Sequence, residues 1–196
     1  MNCAIGFRIK TGNAIVVAVA REGKGFEVVD RRIISLCDPA LPTTRQPYHV
    51  IEEIADAVEA EREIARLCRI VRQIAKKEVS KLIASYKKQK YEFSKAALVV
   101  GSVIDPQKIG NPHVRAHASE GKLYRTVVEE ALRSAGVRAT IFPERDLLKT
   151  VAKQTGKTES ALKSIATDAG RNLQGPWRAD EKHAFLAASI LINRNV

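Results

Sequence analysis

Ala4-Ile5-Gly6-Phe7-Arg8-Ile9-Lys10-Thr11-Gly12-Asn13-Ala14-Ile15-Val16-Val17-Ala18-Val19-Ala20 opens the chain with two β-rich runs about a short break. The Gly12-Asn13 pair can supply the positive φ angles of a tight hairpin, so Ala4 to Ile9 and Ala14 to Ala20 are expected as strands one and two. Glu22-Gly23-Lys24-Gly25 makes a second turn, and Phe26 to Leu36 has the alternation and the Val/Ile content of a third strand. The chain therefore begins as a three-stranded antiparallel meander.

Beyond it, the segment from Asp38 to Pro47 carries three prolines and no periodic pattern, as a loop leaving the sheet would. The period then changes. Ile51, Ile54, Val58, Ile64, Leu67, Val71, Ile74, Val79, Leu82 and Ile83 recur at three and four, predicting one long amphipathic helix over about residues 49–91. Glu52, Glu53, Asp56, Glu59 and Glu61 lead it, and Arg62, Arg66, Arg69, Arg72, Lys76, Lys77 and Lys81 follow, an order that suits the helix dipole. The dipole does not account for the density of the basic stretch. Ala96-Ala97-Leu98-Val99-Val100 reads as a strand buried on both faces, Leu123 to Ala135 as a helix ending at Gly136, and Val137 to Phe142 as a fifth strand. Helices over Asp146 to Gln154, Glu159 to Asn172 and Asp180 to Asn193 make residues 144–196 a helical segment.

The composition, 45% hydrophobic and 5% aromatic over 196 residues, favours aliphatic strands under amphipathic helices in one α/β domain spanning residues 1–196. A net charge of +11 and a pI near 9.8 make nucleic acid the first partner to consider. No run approaches the roughly 18 apolar residues of a membrane span, so no membrane partner is expected. Met1-Asn2-Cys3-Ala4-Ile5-Gly6-Phe7-Arg8 lacks the charge and apolar run of a signal peptide. Cys3, Cys37 and Cys68 lack metal or redox spacing and read as buried thiols of a cytoplasmic protein.

The order of three antiparallel strands, helix, parallel strand, helix, parallel strand and terminal helices resembles the ribonuclease H-like superfamily, and within it the Holliday-junction resolvase (RuvC-like) branch. The matching motifs are Ala4 to Gly12 in the first hairpin, Ala97-Leu98-Val99-Val100-Gly101-Ser102 in the fourth strand, and Ala179-Asp180-Glu181-Lys182-His183-Ala184-Phe185-Leu186-Ala187-Ala188 in the last helix. The resemblance implies a mixed five-stranded sheet. In catalytic members it also implies divalent cations (Mg²⁺ or Mn²⁺) held by an Asp on strand one, an acid on strand four and acidic or His ligands on the last helix. Here Arg8, or Lys10 one pleat along, holds the strand-one position, and no carboxylate follows strand four before Asp105. Asp180 and His183, at i and i+3, keep the last-helix pattern. A degenerate acid set of this kind suggests that Arg8 or Lys10 prefers an anion such as a phosphate; the alternative is that both are simply solvated beside the hairpin.

Other constellations compete. His113, His117 and Glu120, at i, i+4 and i+7 behind Pro112, could share one helix face and hold Zn²⁺ or another transition metal, and Glu120 could instead replace the missing strand-four acid. Leu148 to Ile165 has the spacing of a helix-turn-helix, but a helical hairpin packed on the sheet gives the same spacing and is preferred. Trp177 could stack a base or close the core. No phosphate-cradling glycine motif is present. The reading that follows is a catalytically degraded protein binding nucleic acid, or a partner associated with it, through Arg8, Lys10 and the basic helix residues Arg62, Arg66, Arg69, Arg72 and Lys76, with Asp180, His183 and Glu120 as candidate catalytic groups. Its alternatives are a nuclease whose metal ligands come from His113, His117, Glu120, Asp180 and His183, and a homodimer paired through the apolar face of the long helix.

Overall fold

The computed structural model describes residues 3–23, 25–52 and 54–193. Strands β1 (Cys3–Lys10), β2 (Asn13–Glu22) and β3 (Gly25–Ser35) are followed by 3-10 turns at Pro42–Arg45 and Pro47–Glu52 and by helix α1 (Ala57–Lys88). Then come β4 (Lys95–Val100), α2 (Pro112–Ser134), β5 (Arg138–Pro143), α3 (Glu144–Thr155), α4 (Glu159–Asp168) and α5 (Ala179–Asn193). The strands form one sheet in the order β3-β2-β1-β4-β5. β1 pairs antiparallel with β2 and parallel with β4, and β5 runs parallel to β4. This is the five-stranded mixed sheet that the resemblance implies.

Strand alternation sorts the core into two layers. Ile5, Phe7 and Ile9 of β1, with Ala96, Leu98 and Val100 of β4, face α1 and α2. Ala4 of β1 and Ala97 and Val99 of β4 face α3, α4 and α5. Period-two geometry therefore sends Gly6 and Arg8 to the second side. There α5 lies so close that a Cβ on Gly6 would overlap the carbonyl oxygen of Ala184 and come within 3.2 Å of its Cα. Helix α5 is apolar on all sides and buried from Ala184 to Ile192, as a helix enclosed by a sheet and two other helices must be.

Several expectations change. The hairpin turn is Thr11-Gly12, with positive φ at Gly12 only, and Asn13 already belongs to β2. The long helix does not begin at 49: a separate 3-10 turn holds Tyr48 and His49, and Asp56 caps α1 by accepting from the backbone N–H of Glu59 at 2.7 Å. Glu53 lies outside the described residues. Helix α1 contributes to the sheet-facing core only from Cys68 and Val71 onward, while nearer its start Ala60 and Leu67 are buried outside that cluster. Its apolar stripe, including Val71, Ala75, Val79, Leu82 and Tyr86, is buried in the chain's own core. From Val71 to Tyr86 that face is therefore covered by the chain itself and is not open to a second copy.

Helices α3 and α4 form a hairpin around Gly156, and Leu147, Val151, Leu162 and Ala166 are buried in the core with α5. Trp177 donates its Nε1–H to the Ala166 carbonyl at 2.6 Å and packs on Phe185, so it serves this core. The cysteines are half-buried rather than enclosed, and none forms a disulfide among the described residues. Among the described residues no helix is long and apolar enough to cross a membrane.

Candidate functional site

Parallel strands β1, β4 and β5 all end at one edge of the sheet, where α3 and α5 begin. Arg8, near the end of β1, is 5% exposed and points into this edge. Its Nη2 donates to Glu144 Oε2 in the first turn of α3, its Nε donates to Asp180 Oδ1 in the first turn of α5 at 3.2 Å, and its Nη1 donates to the Ile9 carbonyl at 3.1 Å. Lys10 Nζ reaches Asp180 at 3.4 Å, and His183 Nδ1 lies 3.3 Å from Glu144 Oε1. The planar guanidinium thus spans two carboxylates from two helices, a geometry that a lysine cannot reproduce. Both carboxylates sit where a helix N-terminus favours negative charge.

Arg8, Lys10, Asp180 and His183 are therefore brought together as expected from their strand-end and helix-start positions. Glu144 joins them without having been foreseen; an acid just after a strand-ending proline carries no signature of its own. Two expectations for Arg8 fail here. It is not solvated, and its guanidinium is already committed to internal carboxylates, so it is not a free anion site. Lys10, more exposed, retains the capacity to meet a phosphate.

The divalent cations that the resemblance implies at this edge do not fit these residues. A cation would face the guanidinium of Arg8, and β4 runs out through Val99-Val100-Gly101-Ser102 without a carboxylate. Hard cations need several oxygen ligands, mostly anionic. Here the positive charge that would balance Glu144 and Asp180 belongs to the chain itself.

Next to Asp180 in the first turn of α5, Glu181 fastens the helix start. Its Oε1 accepts from Arg31 Nη2 at 2.9 Å, and its Oε2 accepts from the Arg178 backbone N–H at 2.9 Å. Burial alone would push this carboxyl up, but the hydrogen bonds from Arg31 and from backbone N–H groups together outweigh it and hold the group below the ordinary carboxylate range. A depressed folded-state pKa stabilises the protein fully above the unfolded value, and that contribution is lost as the pH falls through the folded value. Glu181→Gln is therefore expected to cost about 1–2 kcal/mol at pH 7. The difference from the parent should shrink below roughly pH 4, which urea unfolding at pH 7 and pH 3.5 would measure; an equal difference at both would contradict the assignment.

Beside the strand-end site, a cleft of about 450 Å³ opens between the ends of β1 and β4 and the first turns of α2, lined in part by Lys10, Ser102, Val114, His117, Lys122 and Arg125. Lys122 lies 3.7 Å from Asp105, and Arg125 donates to the Ser102 carbonyl at 3.3 Å. On α1, Arg62, Arg66, Arg69, Arg72 and Lys76 are all exposed. Arg66 pairs with Glu63 and Arg72 with Glu130 of α2, while the long stems of all five remain at the surface.

His113, His117 and Glu120 share one face of α2, which runs unbroken through Gly121. Glu120 is fully buried and turned toward His49, not toward the end of β4: its Oε1 accepts from His49 Nδ1 at 2.7 Å. It therefore does not replace the missing strand-four acid. Among the described residues, the histidines brought within reach of one another are His113, His117 and His49, and this group includes neither Asp180 nor His183. His49 was not foreseen, because it approaches α2 from a proline-rich loop.

Sheet order and helix placement together define a ribonuclease H-like fold in its RuvC-like arrangement. RuvC of Thermus thermophilus matches it with a TM-score of 0.58 over 98% of this chain and 95% of that one, at 10% sequence identity. The structure of T. thermophilus RuvC in complex with a Holliday junction substrate matches with a TM-score of 0.53, over 98% and 94%, again at 10% identity. At that identity the likeness is one of fold. No protein-family model and no curated protein matches the chain.

Proposed function

We propose that this protein binds duplex or branched nucleic acid across the strand-end cleft and does not hydrolyse it there by a two-metal route. The observation that carries the reading is the cleft itself: Lys10, Lys122 and Arg125 line the crevice at the carboxyl ends of parallel strands, the place where open α/β sheets receive ligands. Arg62, Arg69 and Lys76 on the exposed face of α1 extend the positive surface, and the net charge of +11 supplies long-range attraction. The structural likeness to a RuvC that was captured with a Holliday junction supports the choice of nucleic acid over an acidic protein. The ion pairs of Arg8 with Glu144 and Asp180 support the second half of the proposal, since they leave no anionic pocket for paired cations.

Binding to junction, duplex and single-stranded DNA at several salt concentrations tests it. Affinity should fall steeply with salt, and the triple variant Lys10→Ala/Lys122→Ala/Arg125→Ala should lower the log–log salt slope by about 2–3, one counterion contribution for each lost phosphate contact. Salt-independent binding, or a variant with an unchanged slope, would remove the cleft from consideration. Cleavage with Mg²⁺ or Mn²⁺ that Asp180→Ala abolishes would replace the proposal with a metal-dependent nuclease.

A further inference from the structure

Three of the chain's four histidines meet at one point away from the strand-end carboxylates. His49 comes from the 3-10 turn Pro47–Glu52, and His113 and His117 come from the first two turns of α2. Each can offer a ring nitrogen, and these nitrogens all lie within 4.8 Å of one another. The Nε2 atoms of His113 and His117 are 3.2 Å apart. Two imidazole nitrogens on a tetrahedral Zn²⁺ at 2.0–2.1 Å would be separated by roughly 3.3–3.4 Å, so this edge of the site already has the dimension of a coordination polyhedron.

The outer partners fit the same chemistry. Glu120 Oε1 accepts from His49 Nδ1, which fixes the tautomer and leaves the Nε2 lone pair uncommitted. That Nε2 is buried and has no hydrogen-bond partner among the described residues. Glu120 Oε2 is likewise buried without a hydrogen bond, and it lies 3.7 Å from His117 Nδ1, so a small ring rotation would let the same carboxylate orient a second histidine. Glu120 has no Lys or Arg ion pair among the described residues; the ring nitrogens near its carboxylate are those of His49 and His117. A buried carboxylate that meets imidazoles and a backbone N–H but no Lys or Arg lacks a permanent cation.

We infer that His49, His113 and His117 form a three-histidine site for Zn²⁺, with Glu120 as the outer carboxylate that orients His49 and balances the charge of the ion. Glu120 is then a positioning residue and not a ligand, unlike its role in the spacing-based expectation. An all-nitrogen set selects a borderline ion such as Zn²⁺ over Mg²⁺, which prefers oxygen. His113 and His117 are exposed, so the fourth position faces solvent and takes water or an incoming oxygen ligand. The segment carrying His49 is fastened in register by Tyr124, buried in α2, whose hydroxyl donates to the Thr44 carbonyl at 2.7 Å.

The experiment is calorimetric titration of Zn²⁺ into the untagged, chelator-stripped chain, read beside the visible absorption of the Co²⁺-substituted protein. One ion per chain, micromolar affinity or tighter, and the intense bands of tetrahedral Co²⁺ are expected. His113→Ala, an exposed position whose loss spares the core, should weaken binding by at least the roughly 10–100-fold typical of an outer partner, and Glu120→Gln by an amount within that range. His49→Ala should do the same, with circular dichroism as the check that the loop is retained. Absence of Zn²⁺ binding by the parent protein, or affinity unchanged in His113→Ala, would overturn the site and leave the 3.2 Å contact as a hydrogen bond between two imidazoles.

Discussion

Arg8→Ala is expected to destabilise the protein by about 2–3 kcal/mol, among the largest single-site losses available outside the apolar core. Removing one partner of a fully buried ion pair costs about 3–5 kcal/mol because a charge is left without compensation. Here Glu144 and Asp180 are each about one-third exposed, so water recovers part of the loss and the expected figure is lower. Arg8→Lys should fall between the two, since an ammonium is a point charge and cannot donate to Glu144, Asp180 and the Ile9 carbonyl at once. Arg8→Asp sharpens the test by setting three carboxylates beside His183, with the more exposed Lys10 as the remaining cation near them. Its thermal midpoint should rise on addition of millimolar Mn²⁺, by simple linkage, while the parent's stays constant. Equal stability of Arg8→Ala and the parent in urea would show that the guanidinium does not hold α3 and α5 to β1.

Gly6→Ala is the second large effect, and its cause is steric. The added methyl would collide with the Ala184 carbonyl, a backbone group that no rotamer change can move. Helix α5 must therefore shift away from the sheet, breaking close packing over the buried run from Ala184 to Ile192, and a loss of about 3 kcal/mol or more is expected, at the upper end for overpacking. Asp180 lies one turn before Ala184, so the same shift draws its carboxylate away from Arg8. The two substitutions share that ion pair, and Gly6→Ala combined with Arg8→Ala should cost less than the sum of the separate effects. Denaturation of the four proteins in a double-mutant cycle measures this, together with the near-ultraviolet signal of Trp177, which packs on Phe185 of α5. Strict additivity would mean that the helix does not move as a unit.

Much of the scaffold was legible from residue order. The alternation in Ala4 to Ile9, the unbroken apolar run Ala96 to Val100 and the three-and-four spacing after Ile64 each report local burial, and the strands formed within a few residues of their expected bounds, whereas α1 begins later and α2 earlier than expected. The start of α1 was the main error. Ile51 and Ile54 continue the helical spacing by coincidence, but Asp56 stops the helix from extending backward by capping it, and the proline-rich segment before it folds separately. The dimer expectation rested on a related ambiguity: an apolar stripe records that a face is covered, not which surface covers it, and from Val71 to Tyr86 the cover is the chain's own core.

The candidate sites divide in the same way. Period-two alternation placed Arg8 and Lys10 near a strand end, and helical spacing paired Asp180 with His183 and His113 with His117. By itself the sequence determined the order of strands and helices, the positive charge of the chain and the lack of a carboxylate at the strand-one position, because these depend on residue identity and on near-neighbour spacing. Only the tertiary structure decided that Arg8 is buried between Glu144, 136 positions away, and Asp180, 172 positions away, and that His49 meets Glu120 across 71. Such meetings depend on how close α5 can approach Gly6 and on how a loop without periodicity lies against α2. Those are properties of packed backbones, which local spacing does not encode.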